Sequence, residues 1–216
     1  MATAADSSKT HAETTLELHD VSEASLPDVR ARLLANAATL LHVTLVQPGF
    51  GRPLDLTDLP WHTLARLRNL SLQRFQVPAS LLAHPTLESL RLVTCPIVGA
   101  ESVHVGPSLA ALELVDCNPE VATLHVDGPA LTSFVLSQDE DAAESNFATV
   151  RFACPGLQAL RFRAALAVDL VFVGPFPALA AANIQLQAGA YGGPVVDVSA
   201  AESAALLAAA APFAAP

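Results

Sequence analysis

Three cysteines, seven histidines and one cluster of carboxylates are the side chains in this sequence with the most chemical capacity. A thiolate nucleophile needs an imidazole within hydrogen-bond reach, and a zinc site needs ligands in short paired spacings. Cys95, Cys117 and Cys154 form no CxxC pair, and the sequence pattern places no histidine beside any of them. His104 and His125 stand at corresponding positions of two similar segments, but two histidines without a carboxylate make a poor metal site. Ser137 to Glu144 carries four carboxylates yet lacks the glycine and ligand order of a calcium loop, so it reads as a solvated insertion. Gly49-Phe-Gly51 and Gly189 to Gly193 have neither a Walker lysine nor a strand-GxGxxG-helix setting and read as turns. GxSxG is absent, and the sequon Asn69-Leu-Ser71 lies inside a strand-like segment. The expectation is a chain with no catalytic residue, no metal and no cofactor.

Two of the cysteines belong to something larger. Leu67-Arg-Asn-Leu70-Ser-Leu72-Gln-Arg-Phe75 is echoed by Leu87-Glu-Ser-Leu90-Arg-Leu92-Val-Thr-Cys95 and by Leu109-Ala-Ala-Leu112-Glu-Leu114-Val-Asp-Cys117. Weaker copies centre on Leu16-Glu-Leu18, Val43-Thr-Leu45, Phe134-Val-Leu136, Leu160-Arg-Phe162 and Ile184-Gln-Leu186. Counted from the first apolar residue of each pair, the spacings are 27, 27, 20, 22, 22, 26 and 24 residues, within the range of about 20–29 typical of leucine-rich repeats. In L-x-L the two leucines point inward and the residue between them outward, so each copy supplies one short strand. No copy can bury its leucines alone, so the copies must stack. The fold class expected is a leucine-rich-repeat (LRR) solenoid of about eight coils, mainly β, with parallel strands. Cys95 and Cys117 take the inward position that ends the strand.

A second, offset pattern (Val103-His-Val105, Leu124-His-Val126, Val150-Arg-Phe152, Leu170-Val-Phe172) predicts a second strand per coil in the later coils. Pro107, Pro129, Pro155 and Pro177 follow it and suit the bends. In the early coils, Leu26 to Asn36 has helical spacing behind Pro27, and Leu59 to Leu67 and Pro78 to His84 suggest further short helices on the convex side. Residues 1-12 read as a disordered tail, 13-198 as the solenoid and 199-216 as an alanine-rich helix and tail, with Ser199 to Glu202 at capping-box spacing.

A chain of 216 residues with 52% hydrophobic content can bury a substantial core. Mean hydropathy is +0.42, yet the richest stretch, Ala164 to Ile184, is interrupted by Asp169, Pro175 and Pro177, so no membrane span is expected. A net charge of -10 with one lysine, Lys9, argues against nucleic acid and anionic membrane as partners. An odd cysteine count and a polar N-terminus without a secretory apolar run point to cytoplasm or nucleus.

The outward residues between the paired leucines form a row, Ser71, Arg91, Glu113, Val135 and Arg161, and the next outward positions form a second, Gln73, Val93, Val115, Ser137 and Arg163. Adjacent valines edged by arginines suit a protein contact, so these residues are the candidate partner-binding surface. The LxxLxLxxC repeat with its offset LxVxxPxLxxL resembles the LRR half of plant F-box/LRR proteins, including the FBD-associated group, over roughly Leu16 to Leu186. That resemblance implies substrate binding for a ubiquitin ligase. No LPxxLLxxIL segment precedes the repeats, and Leu26-Pro-Asp-Val lies between two repeat strands, so nothing here corresponds to the module that recruits the ligase scaffold. The expected function is binding of a protein partner through the strand face. The alternative is a truncated F-box/LRR paralogue with no independent activity, and an enzyme is the remaining class.

Overall fold

The computed structural model describes residues 14–49, 51–117, 119–138, 147–165, 168–187 and 196–198. Parallel strands dominate. The long sheet contains β1 (Thr15–Leu18), β2 (His42–Val46), β4 (Asn69–Gln73), β6 (Ser89–Val93), β9 (Ala111–Val115), β11 (Ser133–Ser137), β13 (Ala159–Ala165) and β15 (Ala181–Gln187), in that order, closed by antiparallel β16 (Val196–Val198). The opposite side carries a four-stranded sheet of β8 (Ser102–His104), β10 (Thr123–Val126), β12 (Thr149–Phe152) and β14 (Asp169–Phe172), and a three-stranded one of β3 (Leu54–Asp55), β5 (Phe75–Pro78) and β7 (Ile97–Val98). The chain is therefore a parallel-strand β-solenoid.

The same backbone bonds recur from coil to coil. One carbonyl per coil receives two N–H groups of the next: Leu41 from Arg68 and Asn69, Arg68 from Glu88 and Ser89, Glu88 from Ala110 and Ala111, Ala110 from Thr132 and Ser133. Each coil thus satisfies the polar backbone of its neighbour, which is why repeats of unequal length still keep register. After the strand the chain turns through a left-handed residue at Asp20, Arg74, Thr94 and Asp116, with φ between 49° and 67°. None of these is glycine, and the repeated conformation is held by bonds such as Arg74 N to Val93 O and Thr94 N to Val115 O, 2.9 and 2.8 Å.

Inward leucines and phenylalanines form one continuous core. Leu72, Leu92, Leu114 and Phe162 have no exposed surface, and each contributes roughly 1.5–3 kcal/mol of burial. Phe134 of β11 meets Phe152 of β12 edge to face at 5.1 Å, and Phe152 stacks on Phe172 of β14 at 5.2 Å, so aromatic rings join the two faces.

Three expectations need correction. Turns with paired strands on both faces (β4 with β5, β6 with β8, β9 with β10, β11 with β12, β13 with β14) number about five, not eight. The first coil closes through a helix, β2 is answered only by two-residue β3, and β15 pairs onward with an antiparallel strand. Second, early coils contain little helix: α1 (Leu26–Ala35) is one, but Trp61–Thr63 and Ala79–Leu81 are single 3-10 turns, and β3, β5 and β7 occupy the remainder of that side. The coil from Leu70 to Leu90 has only 20 residues for two strands and their bends, and in the 27-residue coil before it β3 takes part of the length that α1 fills in the first coil. Third, Leu160 pairs with Ala182, and Ile184 with Phe162, so the last repeat is Ala182-Asn183-Ile184 rather than Ile184-Gln-Leu186. A shift of two residues leaves the inward and outward alternation unchanged, so the pattern alone could not detect it. The expected tail over 1-12 and alanine-rich helix over 199-216 lie outside the described residues.

Candidate functional site

Register makes the outward residues of the long sheet into columns. Ser71 pairs with Arg91, Arg91 with Glu113, Glu113 with Val135, Val135 with Arg161 and Arg161 with Asn183. The second column runs Gln73, Val93, Val115, Ser137, Arg163 and Gln185. All ten residues of the two rows named from the sequence stand on this one face. They lie on ladder-paired strands, which fixes their spacing at about 4.8 Å per strand.

Arg91 and Arg161 are exposed, while Ser71, Gln73, Val93, Glu113, Val115, Val135, Ser137 and Arg163 are half-buried. Arg91 Nε lies 3.1 Å from Glu113 Oε2 with both side chains still reached by solvent, so the pair adds at most about 1 kcal/mol. Its larger effect is to cancel the charge of both residues in mid-face. Arg68 and Glu88, at the strand-entry edge, make a similar 3.1 Å pair. Between them and the neighbouring bend is a depression of about 280 Å³ that includes Arg66, Thr86 and Ser108. A second depression, about 320 Å³, lies on the face itself, lined by Glu113, Val115, Val135, Ser137, Arg161, Arg163, Asn183 and Gln185. Sequence patterning had no means of finding either hollow. The sequence places the last repeat two residues late, a register that omits Asn183 and puts Gln185 in the Arg161 column instead of the Arg163 column.

Cys95 Sγ lies 3.4 and 3.3 Å from the carbonyls of Leu72 and Val93, and Cys117 Sγ lies 3.4 and 3.5 Å from those of Leu92 and Val115. Both thiols therefore have backbone acceptors at the strand ends. Burial pushes the pKa of all three thiols up, that of Cys154 to about 11, which disfavours the thiolate that nucleophilic chemistry would use. On the four-stranded sheet the rings of His104 and His125 stack at 4.3 Å and 10°, and His104 Nδ1 lies 2.7 Å from Asp127 Oδ2. Among the described residues no group of three or more His, Cys, Asp or Glu could hold a metal.

His84 and Gln47 are polar residues buried for structure. His84 Nε2 donates to the Trp61 carbonyl at 3.0 Å, leaving Nδ1 to accept from the Thr86 amide at 3.4 Å, and desolvation lowers its pKa. Gln47 receives Leu54 N–H and donates to Arg52 O, tying the bend between β2 and β3. Most of the acidic run, residues 139–144, lies outside the described residues, as do Phe50 and the second glycine cluster. Among the described residues no helix is long and apolar enough to cross a membrane. Comparison with protein-family models, curated proteins and solved structures finds no match.

Proposed function

We propose that this chain is a protein-binding module of the leucine-rich-repeat type that holds a partner against the outward face of the long sheet. The observation that carries this reading is the hollow over β9 to β15, which combines the half-buried valines Val115 and Val135 with arginine and amide side chains on a rigid floor. Apolar contact ringed by hydrogen-bonding groups is the usual composition of a protein interface, and a floor ordered in advance lowers the entropy cost of binding. The opposite face lacks that apolar centre, since its outward row of His104, His125 and Arg151 is polar up to Val171. By resemblance to plant F-box/LRR proteins, the partner would be a substrate for ubiquitination in the cytoplasm or nucleus.

The test is affinity capture from the source cells with the wild type beside the double variant Arg91→Glu, Arg161→Glu. Both positions are exposed, so the variant should melt within a few degrees of the wild type. A protein retained by the wild type and lost from the folded variant supports the reading. A protein retained equally by both places binding elsewhere.

A further inference from the structure

The face is electrostatically uneven in a way that its composition conceals. The chain carries 21 acidic and 11 basic residues, yet the outward positions of β11, β13 and β15 (Ser133, Val135, Ser137; Ala159, Arg161, Arg163; Ala181, Asn183, Gln185) include two arginines and no acid. In Arg161's own column the nearest carboxylate is Glu113, two strands back, and Glu113 is already engaged by Arg91. Asp197 of β16 pairs with Gln185 and so falls in the Arg163 column, not in that of Arg161. Arg161 is exposed, with Val135 on one side and Asn183 on the other.

A guanidinium beside an apolar residue and an amide, at the rim of a hollow, is built to accept a carboxylate in a fork of parallel hydrogen bonds. Val115 stands two strands back from Arg161 and two residues along, about 12 Å away, which an extended peptide covers in about three to four residues. We infer that the partner engages this face through an acidic segment, one carboxylate pairing with Arg161 while an apolar residue two or three positions away lies over Val135 and Val115. The inference rests on the strand-face reading and specifies the chemistry of its ligand. A basic segment has only Glu113 to meet in the hollow, and that group is neutralised in place.

The experiment is selection of displayed random 12-residue peptides on the wild-type chain, followed by capture of the selected peptides on Arg161→Gln, Arg161→Glu and Val135→Asp, with thermal melts confirming that each variant folds. The expected result is enrichment of Asp or Glu with an apolar residue two or three positions away. Capture should fall about tenfold on Arg161→Gln, the usual worth of a charge-assisted hydrogen bond, and a separate selection from the starting library on Arg161→Glu should enrich Lys or Arg instead. Peptides that are lost on Val135→Asp but show no acidic enrichment and bind Arg161→Gln as well as wild type overturn the inference while leaving the strand-face reading standing. Peptides indifferent to every variant overturn both. An empty selection overturns the linear acidic segment. A concentration-dependent dimer in sedimentation, lost in Arg161→Glu, would assign the face to a second copy of the chain and likewise overturn it.

Discussion

Adding a single methyl group at Gly106 tests how closely the coils approach each other. A Cβ built there would lie 2.5 Å from the His84 carbonyl oxygen and 3.2 Å from the Ala83 carbonyl carbon, both backbone atoms that cannot rotate away. At Gly128, one coil later, the closest atom is the Gly106 oxygen at 3.1 Å, and at Gly156 the closest are the Leu131 and Pro129 oxygens at 3.6 Å. None of the three has positive φ, so alanine meets no conformational objection and space alone decides. Overpacking a rigid site costs about 1–3 kcal/mol and sometimes more, whereas alanine at a compatible glycine gains roughly 0.4–1 kcal/mol through the unfolded chain. Gly106→Ala should therefore lose about 2–3 kcal/mol, Gly128→Ala about 1 kcal/mol or less, and Gly156→Ala should be neutral or slightly more stable. For a chain of this size those values correspond to a fall of roughly 4–12 °C, a fall of up to about 4 °C, and no fall in Tm. Calorimetry or denaturant melts of the three variants beside the wild type would check the order. Equal stability of Gly106→Ala and Gly156→Ala would refute the close backbone approach between the β8 bend and the Ala83–His84 turn.

Other expectations follow from particular residues. Because burial raises the pKa of all three thiols, iodoacetamide at pH 8 should label none of them rapidly in the folded chain and all three after guanidinium unfolding, read by intact mass. Fast native labelling of Cys117 would contradict its placement. His84 is neutral in the fold and its pKa is lowered, chiefly by desolvation, so the unfolded chain takes up its proton first. Its contribution should be complete above about pH 6.5 and decline as pH falls from there to its folded value. His84→Gln should flatten that part of a stability-versus-pH curve, and an unchanged slope would show that the acid sensitivity comes from another group. Thr94 holds φ at 52° despite its branched Cβ, so Thr94→Asn should stabilise by about 1 kcal/mol, seen as a rise in Tm of roughly 2–4 °C. A lower Tm would mean that the threonine side chain contributes something the strain argument omits.

The long sheet was legible because its signal is strong and local. An L-x-L pair sets which side chains face inward, the repeat sets which strands are neighbours, and the two together fix the columns containing Arg91, Glu113 and Arg161. The offset pattern from Val103 to Phe172 gave the four-stranded sheet for the same reason. What escaped was either too short to be periodic or not periodic in side chains at all. Leu54–Asp55 and Ile97–Val98 are two-residue strands, and the left-handed corners at Asp20, Arg74, Thr94 and Asp116 share a backbone conformation across four positions of mixed residue type. The count of turns depended on what lies opposite each strand, which the L-x-L pairs do not encode. At the site, the residues were readable but the hollow was not, since its shape depends on the heights of side chains from four strands. Ala182 shows the limit most clearly: an alanine in an inward position meant for leucine gave no signal, so the pattern settled on Ile184.

The central claim, that the long sheet's outward face holds a partner protein, is tested most directly by site-specific photo-crosslinking. A photoreactive phenylalanine analogue would replace half-buried Val135 on that face and, in a separate chain, exposed Val171 on the opposite sheet. Irradiation after capture from the source cells should yield an adduct with the captured protein from position 135 and none from position 171. Adducts from position 171 with none from position 135 would contradict the account.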